Sequence, residues 1–352
     1  MRTFHRLFKD IRKTFATGLM LGAVSICMAL VPGVASAQDA SKKPTKIRLA
    51  ALSTPNGFLI WAANELGFYQ KEGLEVESLK FFPSGPAAVA SGYAGAWDAA
   101  YLGGPPAINA GSKFGLQVVG LLNLQHGTLK VYVRKEVPNE RLGEYLKGKT
   151  ALTVTASNLH YFLDACLKHY KVDPTTVRMV NQTPPNIVTA ANAGQGEIVS
   201  NWAPHTAVLD ATGKYRAICD AQAQVGITTF DAYVVHPTFA KANPEAVAAF
   251  VRAVYKVNAL MVSDYPKMLN LANKFFDEIG LKLSPEHIRY SFEVQTYPTI
   301  EESIGLIKSG RIANSLEAAA KFLVSVGAME TVPPINFVTP EYLERARATG
   351  AK

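Results

Sequence analysis

The sequence predicts an α/β protein of two lobes, each a mostly parallel sheet flanked by helices, with a C-terminal helical extension on lobe one. Three observations predict it. Strand patterns alternate with helical patterns of about ten residues, the signature of βαβ units. One α/β unit occurs twice, 99 residues apart and without a gap: Pro86 matches Pro185, Val89 matches Val188, Ala94-Gly95 matches Ala193-Gly194, Asp98 matches Glu197, and Pro105 matches Pro204. After Pro244 the pattern is helical almost to the end. The 352 residues, 48% hydrophobic and 18% charged, are enough for two cores.

The elements follow in order. Residues 46–52 alternate as a first strand, 53–57 make a turn, and Leu59, Ala62, Ala63 and Leu66 have helical spacing that ends at Gly67. A strand over 75–82 leads into the first repeat unit. Residues 117–124 are almost continuously apolar, as in a strand buried on both faces. A strand at 129–134 and a connector at 138–148 precede a second series: strand 149–155, a helix opened by Ser157, strand 177–181 and the second repeat unit. Strands 129–134 and 230–235 are taken as the crossings between lobes. Lobe one is then 38–135 with 229–352, and lobe two is 136–228.

The N-terminus is expected to be a secretory signal peptide covering residues 1–37. Arg2, Arg6, Lys9, Arg12 and Lys13 form a basic leader, an apolar run spans 18–31, Pro32-Gly33 breaks it, and Ala35-Ser36-Ala37 offers a small-residue cleavage pattern. The run is shorter than the ~20 residues that cross a bilayer. Cleavage after Ala37 would give a soluble exported protein without a lipid anchor. The leader has five basic residues and one acid, so the formal charge of +8 falls to +4 without it. No basic run suggests nucleic acid, and no later segment is expected to span a membrane. Cys166 and Cys219 leave two readings open: a disulfide in an oxidising compartment, or two buried free thiols.

In open α/β sheets, ligands bind beyond the carboxyl ends of the strands. That rule selects the loops 53–57, 83–86, 103–105 and 125–127 in lobe one, and 155–158, 183–185 and 201–204 in lobe two. Most precede helices, whose free N–H groups and partial positive charge suit an anion. The candidate ligand-binding residues are Asn56, Ser84, Gly85, Tyr101, Gly103, His126, Ser157, Asn158, His160 and Trp202. Glycine permits close backbone approach, while Ser157 is equally suited to capping a helix. Phe58, Trp61 and Tyr161 also fall in or beside these loops, with Trp61 better suited to the core. No G-x-S-x-G, G-x-G-x-x-G, P-loop, C-x-x-C or H-E-x-x-H motif occurs. No catalytic residue, metal or cofactor is expected.

The run Ile60-Trp61-Ala62-Ala63-Asn64-Glu65-Leu66-Gly67-Phe68-Tyr69, continuing to Val76, resembles the opening helix of nitrate/sulfonate/taurine-type solute-binding proteins. These are periplasmic components of ABC importers, related to the pyrimidine-precursor proteins of thiamine metabolism. Ser84-Gly85-Pro86, the stretch 146–150 and Trp202-Ala203-Pro204 resemble further landmarks in the same order. The resemblance covers roughly 46–239. It implies a type II periplasmic binding protein fold and a monomer that takes a small-molecule solute to a membrane-embedded ABC permease. The third landmark usually reads Trp-acid-Pro, and Ala203 stands where the acid would be. The missing charge favours an anionic organic solute, sulfonate-like, over a cation. A heterocyclic or aromatic solute, an enzyme related to the pyrimidine synthases, and a sensory binding protein are the alternatives.

Overall fold

Asp98 and Glu197, the acidic pair of the repeat, occupy equivalent positions. Asp98 Oδ2 accepts from the Arg48 N–H at 2.8 Å, and Glu197 Oε2 accepts from the Thr150 N–H at 3.0 Å. Each acid thus clasps the strand that opens its own βαβ series, at 45–52 and 150–153. The preceding Gly95 and Gly194 have φ of 71° and 83°, where a side chain would be strained. The repeat is therefore a repeat of construction: helix, left-handed turn, clasped strand, next helix.

A computed structural model describes residues 43–350. The leader, its cleavage site and most of the polar start at Gln38 lie outside the described residues. The strands are β1 (Thr45–Leu52), β2 (Leu74–Phe82), β3 (Ala99–Gly103), β4 (Gln117–Gln125), β5 (Leu129–Arg134), β6 (Thr150–Thr153), β7 (Arg178–Asn181), β8 (Ile198–Trp202), β9 (Tyr215–Cys219), β10 (Thr229–Val235) and β11 (Gln295–Thr296). They form a six-stranded sheet, β11-β4-β10-β3-β1-β2, and a five-stranded sheet, β7-β6-β8-β5-β9.

Two expectations change. The sheets are mixed rather than mostly parallel. Parallel triplets β2-β1-β3 and β7-β6-β8 carry the repeat, and the remaining pairings are antiparallel. The cause is that β10 and β5 arrive from the opposite sheet and can enter only against the strand direction. Strand β5 also pairs with β8 and β9, so by sheet membership the first crossing lies between Gln125 and Leu129, before the boundary expected at residue 135. Two buried clusters match the two sheets.

After β10 the chain is helical apart from the short strand β11. Helix Pro244–Ser263 has the length and apolarity to cross a membrane, contrary to the sequence expectation, but it is largely buried. Val247, Phe250, Val251 and Val254 join the core of the six-stranded sheet. Phe58 and Trp61 pack with Phe275, and Phe58 also meets Phe292, so both belong to the core. Cys166, on helix Asn158–His169, and Cys219, at the end of β9, form a disulfide across 53 residues.

Candidate functional site

Four helices begin around one point between the sheets. They are Gly57–Glu65, Gly85–Tyr93, Gly104–Phe114 and Asn158–His169, and each follows a strand end or the loop after it. Their first turns carry N–H groups that no helix carbonyl can satisfy. Between them lies a cavity. On the six-stranded side it is lined by Leu52, Thr54, Pro55, Asn56, Gly85, Tyr101, Gly103, Pro106, Gln125, Asp231 and Ser291. On the five-stranded side it is lined by Thr128, Leu129, Ser157, Asn158, Trp202 and Ala203. About 60 Å³ is open to the centres of water-sized spheres, room for roughly five waters or one small organic molecule.

Seven of the ten candidate residues border this cavity: Asn56, Gly85, Tyr101, Gly103, Ser157, Asn158 and Trp202. Their roles are not uniform. The Ser157 hydroxyl donates to the Val154 carbonyl at 2.7 Å and accepts from the Leu159 N–H at 3.1 Å. Its side chain is occupied as a helix cap. The Tyr101 hydroxyl is 2.5 Å from Thr54 Oγ1. Asn158 reaches from the five-stranded side, its Nδ2 lying 3.4 Å from Gln125 Oε1, 3.3 Å from the Phe230 carbonyl and 3.4 Å from Asp231 Oδ1. The bare backbone of Gly103 makes room for it. A Cβ there would stand 2.6 Å from Asn158 Nδ2. Gly103→Ala is accordingly expected to displace Asn158, destabilise the fold by about 1–3 kcal/mol and weaken ligand binding. Urea unfolding and calorimetry check the two effects.

The other three do not border the cavity. Ser84 stands behind Gly85 at the cap position without making a side-chain cap bond. His126 is exposed, with Nε2 3.2 Å from Thr296 Oγ1. His160 is buried edge-on against Phe322, with ring centroids 5.0 Å apart. Burial lowers its pKa to about 4, so at neutral pH it is uncharged and offers no cation to an anion. Ser84 and His126 sit in the selected loops and His160 in the first turn of the helix that follows one, but helical rotation or strand register turns them away from the cavity.

The residue that sequence reasoning missed is Asp231. It lies in β10, whose seven residues are all buried, and it is 6% exposed on the cavity wall. Asn56 Nδ2 donates to its Oδ2 at 2.5 Å and Gln125 Nε2 at 3.3 Å, while the Asp231 N–H donates to Asn123 Oδ1 at 2.8 Å. Burial raises its pKa to about 6, against hydrogen bonds from Asn56, Asn123 and Gln125 that pull it down. A lone acid inside an apolar strand was the available signal. The missing carboxylate at Ala203 therefore does not leave the cavity without one.

No Lys, Arg or His is among the lining residues. Two lining side chains bear buried polar atoms with no hydrogen-bond partner among the described residues, Trp202 Nε1 and Thr128 Oγ1. A buried N–H left unpaired is costly, so both atoms suit a bound molecule with acceptor oxygens. The cavity offers two kinds of group. Helix N-termini and the indole N–H attract an acid group, and Asp231 attracts a donor or a cation.

Two mixed sheets, each built on a parallel triplet, with a cavity between their strand ends, define the periplasmic binding protein fold. A family model described as "NMT1/THI5 like" matches residues 54–266, and the chain belongs to that family. It is 31% identical to the taurine-binding periplasmic protein of Escherichia coli (strain K12) over 187 residues, 53% of this chain and 57% of that relative. The chain thus spans little more than half the length of that relative. Among solved structures, the alkanesulfonate-binding protein SsuA from Xanthomonas axonopodis pv. citri, bound to MOPS, superposes with a TM-score of 0.69 at 16% identity, over 85% of this chain and 99% of that one. The periplasmic nitrate-binding protein NrtA from Synechocystis PCC 6803 gives 0.70 at 15% identity, over 87% and 89%. At these identities the two structures speak for the fold alone.

Proposed function

We propose that this protein is the exported binding component of an ABC importer and that its solute is a small aminoalkyl sulfonate or a similar zwitterion. The observation that carries this is Asp231: a buried carboxylate on a wall that has no basic side chain, in a cavity where several helices begin. An ionised Asp231 opposes a plain anion and favours an ammonium group. The acid group of the same molecule sits at the helix N-termini, each equivalent to about half a positive charge, and accepts from Trp202 and Thr128. The taurine-binding relative supports the same solute class. The sequence expectation of an anionic sulfonate is thereby narrowed to one that also carries a cation.

The two sheets with their helices act as lobes that close over the solute, as hinged binding proteins do. Trp202 supplies a wall, Asn158 bridges the lobes, and a monomer presents the closed form to a membrane permease. The Cys166–Cys219 disulfide supports an oxidising, periplasmic location after removal of the leader. Capture rather than catalysis fits a lining without Cys, His or Lys.

Calorimetry with taurine and isethionate tests the assignment, since the two differ only in an ammonium against a hydroxyl. Taurine is expected to bind at least about tenfold more tightly, because a neutral hydroxyl cannot balance the charge of the buried carboxylate as an ammonium does. Tighter binding of nitrate or unsubstituted alkanesulfonates would overturn it. The pH dependence has a definite sign. The ammonium needs the ionised carboxylate, so taurine affinity is full above about pH 6 and falls about tenfold per pH unit below it. Isethionate affinity has no such acid limb.

A further inference from the structure

Behind the cavity wall, Gln295 joins residues far apart in sequence. It is 5% exposed and lies on β11, beside Gln125 of β4. Its Nε2 lies 2.9 Å from Asn56 Oδ1, 3.1 Å from the Ser291 carbonyl and 2.8 Å from the Tyr297 hydroxyl, sharing two N–H groups among three acceptors. Its Oε1 accepts from Asn123 Nδ2 at 2.6 Å. Both asparagines contact Asp231, one at the side chain and one at the backbone.

An amide can be turned over, so the direction of such a network needs an anchor. Here both ends are anchored by groups that cannot exchange roles. The Ser291 carbonyl only accepts, which places Nε2 of Gln295 on that side. Asn56 must then turn its oxygen to Gln295 and its NH2 to Asp231. At the other end the Asp231 N–H only donates, which turns the oxygen of Asn123 toward it and the NH2 of Asn123 toward Gln295 Oε1. The two requirements agree, and Gln295 is the residue that satisfies both.

We propose that Gln295 is a positioning residue for the cavity: by orienting Asn56 it forces a donor onto Asp231 and so makes the wall present a carboxylate rather than a neutral acid. It does not border the cavity and needs no contact with the solute. Its role rests on the assignment of Asp231 as the partner of the solute's ammonium. Groups facing Asp231 are few. From β3 comes the Tyr101 ring, held neutral by burial and by the Asp231 charge. From β4 come Asn123 and Gln125, from the loop before helix Gly57–Glu65 comes Asn56, and from helix Asn158–His169 comes Asn158. From β11 come the Gln295 amide and, beyond it, the Tyr297 hydroxyl.

Two substitutions separate orientation from packing. In Gln295→Glu the new carboxylate accepts from the Asn56 NH2, which turns the Asn56 oxygen to Asp231 and requires a proton there. In Gln295→Met the bulk is kept and the orienting bonds are lost. The readout is the titration of the Asp231 side-chain carbon by 13C NMR in the ligand-free full-length protein, assigned with Asp231→Asn. Both variants are expected to titrate at least about one pH unit above the wild type, the Glu variant higher still. At a pH below both midpoints, each pH unit by which the midpoint rises should remove about tenfold of the preference for taurine over isethionate. An unchanged titration in the folded Met variant overturns the proposal, whatever happens to the Glu variant. If the wild type shows no preference for taurine, the assignment of the solute falls, and the ligand-free titration still decides the role of Gln295.

Discussion

Asp231→Asn should lower taurine affinity by about a hundredfold while leaving isethionate affinity within a few fold. Removing one partner of a buried charge pair costs about 3–5 kcal/mol, and 1.4 kcal/mol corresponds to tenfold. The lower end applies here because the cavity remains open to water. The substitution keeps the shape of the side chain, and its amide oxygen can still accept from the Asn56 NH2 that Gln295 orients. A neutral amide cannot balance an ammonium. The acid limb of taurine binding near pH 6 should vanish with the carboxylate that causes it. Calorimetry at pH 7.5 and at pH 5 decides the matter. Taurine affinity unchanged in Asp231→Asn would remove Asp231 from the site.

The second large effect concerns stability. Replacing both Cys166 and Cys219 with Ala should cost about 2–4 kcal/mol in urea unfolding. The bridge closes 53 residues, for which the chain-entropy account gives roughly 4 kcal/mol. It ties helix Asn158–His169 to the edge strand β9, and both sulfurs are fully buried. The same helix begins at Asn158, so loosening it also reaches the cavity. Reductant should lower the melting temperature of the wild type and leave the double variant unaffected. Equal melting temperatures with and without reductant would rule out a stabilising bridge.

Much of the fold was legible because its causes are local. Apolar spacing at Leu59, Ala62, Ala63 and Leu66 announced a helix, found at Gly57–Glu65, and the unbroken run in 117–124 announced the buried strand β4. The repeat was readable for the same reason. Pro at a helix start, Gly in a left-handed turn and an acid that clasps the neighbouring strand are short-range requirements. The loops of the cavity followed from the strand-end rule, which depends only on chain direction. Helices Ile300–Lys308 and Glu341–Gly350 were not resolved individually within the general helical pattern.

What the sequence determined alone was therefore the alternation of elements, the doubled unit and the loops that could meet a solute. What only the tertiary structure decided was which side chains border the cavity and with what partners. Ser84 and His126 lie in the selected loops and His160 just after one, yet none borders the cavity, whereas Asp231 sits in an apolar strand and does. Its environment is assembled from residues 56, 123, 125, 158 and 295, none of them near it in the chain. A carboxylate's burial, partners and charge are properties of that assembly. Local pattern carries no trace of it, because hydrogen bonds between distant segments leave no period in the sequence.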